Sequence, residues 1–209
     1  MSAKIFCCIM YVFPMLNGSF AQSVWEWRNP LTNANDLNAV AYGNNQFLTV
    51  GNSGTILNSP DGNTWIERIS GTSHHLRSVA YSNGQYIIVG DKGTILSSSD
   101  GVTWTERISG TSKCLESITY VNNQFITAGQ DGTILTSSDG VTWTIRSFES
   151  GEDLESVTYG NNKYIAVCPR YMEPEDYIIT SPDGITWKEI SSGIDCDLES
   201  IIYANNQFI

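Results

Sequence analysis

A chain of 209 residues is long enough to bury a sizeable core as one domain. Its 18 Gly, its 11% aromatic residues and its abundance of Ser, Thr and Asn favour short strands and turns over helices. Asp and Glu outnumber Lys and Arg by 22 to 11, which argues against nucleic acid or an anionic membrane as partner, because both require clustered positive charge.

Residues 1–21 read as a cleavable signal peptide. Lys4 supplies the positive start, Ile5 to Leu16 an apolar core, and Ser19 and Ala21 the small residues of a cleavage site. About a dozen apolar residues are too few to span a bilayer comfortably. The expected location is therefore secreted or periplasmic, with a net charge of −12 once Lys4 is removed (10 basic against 22 acidic residues). Cys114, Cys168 and Cys196 would remain in a compartment that permits disulfides. No Cys-x-x-Cys or Cys/His spacing suggests zinc or redox chemistry, and no cofactor or metal is implied.

From Leu37 the chain repeats itself. Leu37, Leu76, Leu115, Leu154 and Leu198 open successive units at intervals of 39, 39, 39 and 44 residues, and Trp65, Trp104, Trp143 and Trp187 keep the same spacing. Each unit begins with an alternating strand such as Leu76 to Tyr81, then a turn such as Asn83-Gly84, whose residues tolerate positive φ. A second strand, Gln85 to Val89, leads to Gly90-x-x-Gly93 and a third strand, Thr94 to Leu96. These are read as turn glycines; a phosphate cradle would need a helix to follow, and none has the required periodicity.

The third turn carries the most specific signal. It is Ser59-x-Asp61-Gly62 before Trp65, Ser98-x-Asp100-Gly101 before Trp104, Ser137-x-Asp139-Gly140 before Trp143, and Ser181-x-Asp183-Gly184 before Trp187. Asp and Ser side chains can hydrogen-bond their own turn, Gly permits the left-handed backbone, and Thr-Trp is expected to start a fourth strand. Four equivalent aspartates on separate sheets cannot converge on one substrate, so their role is structural.

These residues resemble the Asp-box, or BNR repeat, Ser-x-Asp-x-Gly-x-Thr-Trp, here one residue shorter. Such repeats occur in sialidases, in photosystem II assembly factors and in bacterial exported proteins. The resemblance implies an all-β fold, a β-propeller of four-stranded antiparallel blades, with the box on the blade periphery and remote from any active site. The expected organisation is residues 22–36 as an N-terminal strand closing the last blade, blades at 37–75, 76–114, 115–153 and 154–197, and a partial blade at 198–209, in all an incomplete ring from a longer propeller. A parallel β-helix is the architectural rival, though its coils are shorter and lack two hairpins per unit.

Function is expected in the departures from the repeat, on the face holding the second turns and the connections between units. Tyr171, Glu173, Glu175, Asp176 and Tyr177, in an insertion at the second turn of unit four, form a candidate acidic-aromatic binding loop, with a tolerated surface insertion as the alternative. Cys168 and Cys196, at the same end of that unit, are a candidate disulfide. His74-His75 point opposite ways on extended chain and are read as a solvated loop. Glu116, Glu155 and Glu199, in the places of Asn38 and Arg77, would make a central channel acidic. No catalytic residue is assigned. Arg68, Arg107 and Arg146 should diverge on successive blades, unlike the three arginines with which sialidases clamp a carboxylate, and the Arg-Ile-Pro segment of sialidases is absent. The expected function is a non-catalytic module binding a protein or glycan; the alternative is part of a glycoside hydrolase whose catalytic residues lie elsewhere.

Overall fold

The computed structural model describes residues 35–148, 151–168, 177–192 and 198–209. The first sheet holds β1 (Leu37–Gly43), β2 (Gln46–Gly51), β3 (Ile56–Ser59) and β4 (Ile66–Arg68). The second holds β5 (Leu76–Ser82), β6 (Gln85–Gly90), β7 (Ile95–Ser98) and β8 (Thr105–Arg107), and the third β9 (Leu115–Val121), β10 (Gln124–Gly129), β11 (Thr133–Ser137) and β12 (Thr144–Ile145). The fourth holds β13 (Ser156–Gly160), β14 (Lys163–Val167), β15 (Tyr177–Ser181) and β16 (Lys188–Ser191), and a final hairpin pairs β17 (Tyr203–Ala204) with β18 (Gln207–Phe208).

Each four-stranded sheet is an antiparallel meander in sequence order, which excludes the parallel β-helix. The first strands are neighbours from sheet to sheet, β1 beside β5, β5 beside β9, β9 beside β13 and β13 beside β17. The sheets are therefore blades set around a common axis, with the first strand of each innermost. The signal segment 1–21 and the proposed closing strand lie outside the described residues, apart from Asn35 and Asp36.

The hairpin between first and second strands turns through left-handed residues, Asn83 (φ 50°) and Gly84 (φ 72°) in blade two, Asn44 and Asn45 (φ 45° and 57°) in blade one. The second turn is a short 3₁₀ segment such as Asn52–Gly54. Its leading glycine differs from expectation. Gly51, Gly90 and Gly129 are extended, and a Cβ there would stand 2.1, 2.2 and 2.0 Å from the carbonyl oxygens of Asp36, His75 and Cys114. They are glycines because the connection between blades passes against them, not because the turn needs positive φ. The fourth strands also begin two residues later than expected, after the tryptophan.

The second strand explains why blades stack. Tyr86 and Ile88 pack with Leu48, Val50 and Ile56 of blade one, whereas Ile87 and Val89 pack with Leu115, Ile118 and Phe125 of blade three. The same division recurs at the next junction, where Ile126, Ala128 and Ile134 meet Leu154, Val157 and Tyr164. Each strand is thus apolar on both faces, and each face is covered by a neighbour. At roughly 1.5–3 kcal/mol for each fully buried large aliphatic side chain, these junctions outweigh anything a lone blade could gain. Truncating Ile126→Ala should lower unfolding free energy by about 2–5 kcal/mol, read from the urea midpoint, while Ile108→Ala, at a position 89% exposed, should change it by less than about 0.5 kcal/mol.

Candidate functional site

The four aspartate turns have one geometry. Asp61 Oδ1 accepts the backbone N–H groups of Asn63 and Thr64 at 2.8 Å each, and Ser59 Oγ accepts that of Gly62 at 2.8 Å while its hydroxyl donates to Asp61. Asp100, Asp139 and Asp183 repeat this with Val102 and Thr103, Val141 and Thr142, and Ile185 and Thr186. Gly62, Gly101, Gly140 and Gly184 all sit at positive φ. Donation from the N–H of Thr103, then of Val102, holds the Asp100 carboxyl at about 2, and Thr142 and Val141 do the same for Asp139. Asp61 and Asp183 are lowered for the same reason. A carboxylate occupied by its own turn, and firmly ionised, is neither acid nor base for a substrate.

The tryptophans that follow anchor the blades only in part. Trp187 is buried, whereas Trp104 and Trp143 are half-buried beside Tyr86 and Phe125, with ring centroids 6.4 and 6.5 Å apart. Trp65 Nε1 donates to Gly62 O at 3.2 Å, but the buried Nε1 atoms of Trp104, Trp143 and Trp187 have no acceptor among the described residues, which offsets some of the gain from the rings.

The opposite face is where the repeat varies. Asn38, Arg77 and Glu116 fall at a break in register between first and second strands, where Leu76 pairs with Gly90 but Ser78 with Val89. Such a β-bulge leaves its residue out of the ladder and re-aims the side chain. Sequence reading placed these residues on the innermost strand but had no signal for the bulge. The side chains meet across blades. Arg77 donates to Asp91 Oδ1 at 2.7 Å and lies 3.7 Å from Glu116 of blade three. Burial works against the Arg77 charge, but Asp91 and Glu116 outweigh it and hold the guanidinium firmly protonated. Burial, together with the charges of Glu116, Asp153 and Glu199, raises the Glu155 carboxyl, with Arg77 opposing. Glu116, Asp153 and Glu199 thus lie near enough to Glu155 for their charges to act on it, with Arg77 among them. Asp91, Cys114 and Glu116 place one ligand atom each within 4.8 Å of one another, but Arg77 already pairs with both carboxylates.

The histidines are engaged rather than merely solvated. Ser53 N–H donates to His75 Nδ1 at 3.1 Å, tying the connection to the turn of blade one. Asp131 N–H donates to Asp153 Oδ1 at 2.9 Å at the equivalent place two blades on. Thr94 Oγ1 donates to Asp91 O, so the 2.8 Å contact of His74 Nδ1 with that hydroxyl is a donation from His74 to blade two. The pair thus faces two different blades and cannot chelate. Arg68 and Arg107 bond Asn58 and Ser97 on their own third strands, at 2.9 and 2.8 Å, and so do not converge.

Tyr171, Glu173, Glu175 and Asp176 lie outside the described residues, and Tyr177 opens β15, pairing with Ser191. Cys168 is buried where the other blades have the close-approach glycine, and Cys196 lies outside the described residues.

Two predictions follow from these charges. Folded-state carboxyls lowered to about 2 contribute stability that is present above their unfolded range near 4 and lost as pH falls towards 2. Asp100→Ala should therefore cost about 1 kcal/mol at pH 7 and less as the pH approaches 2, in urea titrations at several pH values. Glu155 has the opposite sign, because its raised folded-state value makes ionisation at neutral pH unfavourable to the fold. Glu155→Gln should raise the urea midpoint at pH 7, with the gain vanishing below the carboxylate range.

No family model matches the chain, and no curated protein matches it. Solved structures do. YCF48 from Cyanidioschyzon merolae aligns with a TM-score of 0.65 at 19% identity, over 85% of this chain and 62% of its own. A structure described as YCF48 bound to D1 peptide aligns with 0.64 at 18% identity, over 82% and 58%. The WD40 propeller domain of Doa1 aligns with 0.63 at 15% identity, over 84% and 61%. This chain thus spans about three fifths of the length of each of these three structures. At such identities the likeness speaks for fold alone, and together with the blade geometry it establishes that the described chain is an arc of four-stranded β-propeller blades.

Proposed function

We propose that the chain is an exported, non-catalytic propeller of the Asp-box type that docks a protein partner at the channel mouth, through a basic segment of that partner. The observation that carries this reading is the placement of the variable residues. The aspartate turns are uniform and self-satisfied, while one repeat position at or just before the innermost strands is Asn38 in blade one, Arg77 in blade two and a glutamate in the last three units, Glu116, Glu155 and Glu199. The balance there is acidic: Arg77 is matched by Asp91 and Glu116, which leaves Glu155, Asp153 and Glu199 to attract a cation. A glycan is the weaker candidate, since stacking sugars calls for exposed aromatic rings and these positions supply carboxylates. A peptide-bound structure among the similar folds supports the use of such a scaffold for peptide recognition, though that peptide belongs to another protein.

The test is binding of Lys/Arg-rich and Asp/Glu-rich peptide arrays to the purified chain, alongside chromogenic sialosides and arabinofuranosides. The expected result is salt-sensitive capture of basic peptides, lost in the triple variant Glu116→Gln, Glu155→Gln, Glu199→Gln, with no glycoside turned over. Hydrolysis of a glycoside, or peptide capture that ignores the triple variant, would overturn the reading.

A further inference from the structure

One charge at the channel mouth is not demanded by the fold. Asn38, Arg77 and Glu116 stand at the same bulge in blades one, two and three. From there Asn38 Nδ2 donates to Asn52 Oδ1, in the second turn of its own blade, at 3.1 Å, and to Leu76 O of blade two at 2.8 Å. Arg77 repeats the plan with a charge. Its Nε donates to Asp91 Oδ1, in its own second turn, at 2.7 Å, and its Nη1 lies 3.7 Å from Glu116 of blade three. An uncharged amide is therefore enough to tie this bulge to its turn and to the next blade.

A guanidinium in the same place is costly, because burial works against its charge and two carboxylates are needed to hold it. What it adds over an amide is occupancy. The Asp91 and Glu116 side chains are 20% and 19% exposed, and they come from two blades, so a planar fork of N–H donors suits them well. The charge of Arg77 also reaches blade four, where it opposes the action of Glu116, Asp153 and Glu199 on the Glu155 carboxyl. Arg77 thus supplies, from inside the chain, part of the positive charge that the binding reading assigns to a partner.

We propose that Arg77 is the specificity-determining residue of the mouth, a tethered competitor that an incoming basic segment displaces from Asp91 and Glu116 before it can use them. The Arg77 side chain is 37% exposed and lies at the rim of the core, so it can turn to solvent without opening a blade junction. Weakly basic segments gain too little to displace it, and strongly basic ones dock. This role rests on the binding reading above and grades it.

Fluorescence anisotropy of labelled hexa-arginine with the purified chain is the test. Arg77→Asn, which puts the blade-one residue into blade two, should bind the peptide at least about tenfold more tightly than wild type. Lys188→Gln, an equal change of charge on the outer strand β16, should shift the affinity by less than about threefold. In a chain already carrying Asp91→Asn and Glu116→Gln, adding Arg77→Asn should do no more than Lys188→Gln, because the carboxylates it would free are gone. Arg77→Gln replaces Arg77→Asn if the latter unfolds. Equal affinity of wild type and variant overturns the proposal and leaves the binding reading standing, as does a gain matched by Lys188→Gln or retained without Asp91 and Glu116. Capture by the Arg77 variant alone supports the proposal and overturns the binding reading for the wild-type chain, whereas capture by neither overturns both. Unfolding of both Arg77 variants would make Arg77 a residue of the fold and overturn the proposal.

Discussion

The structure depends on sheets that are apolar on both faces. A second strand such as Gln85–Gly90 sends Tyr86 and Ile88 one way and Ile87 and Val89 the other, so a blade with one neighbour still exposes half its core. An antiparallel sheet with one polar face could stop at two layers; this one cannot. Radial stacking follows, because the inner strands lie close together and the twist of each sheet spreads the outer strands apart. Stability is then largely a sum over junctions, and a single blade has little of its own.

The aspartate turns serve this arrangement at its rim. Each fixes the backbone between third and fourth strands with a carboxylate that accepts two N–H groups, which leaves the preceding carbonyl of Asp100 or Asp139 free to receive the glutamine of the neighbouring blade. Local and intermolecular-like contacts are thereby linked: the turn is shaped by its own residues and then used by the next blade. Blades three and four depart from this: Gln124 Nε2 donates to the Tyr164 hydroxyl at 2.6 Å, and Lys163 takes the glutamine position and lies 5.7 Å from the Phe208 ring.

Strand number, turn placement and the structural role of Asp61, Asp100, Asp139 and Asp183 were legible in the sequence because each depends on residues a few positions apart, repeated in phase. The recurrence of Glu116, Glu155 and Glu199 at one place in the repeat was legible too, and their charges act together on the Glu155 carboxyl. What escaped detection depends on contacts between repeats. The close approach that fixes Gly51, Gly90 and Gly129 looks like turn chemistry in one dimension, and the bulge at Asn38, Arg77 and Glu116 has no composition of its own. His75 and Asp153 perform the same task for Ser53 and Asp131 with different chemistry, so similarity of residue type could not reveal it.

Coverage by neighbours, rather than pairing within a sheet, is the central claim, and native-state hydrogen exchange tests it most directly. Strands β6 and β10, covered on both faces, should exchange slowest and at a common free energy, and the hairpin β17–β18 and strand β1 fastest. Equal protection of every second strand irrespective of its neighbours, or faster exchange in β6 and β10 than in β1, would contradict the account.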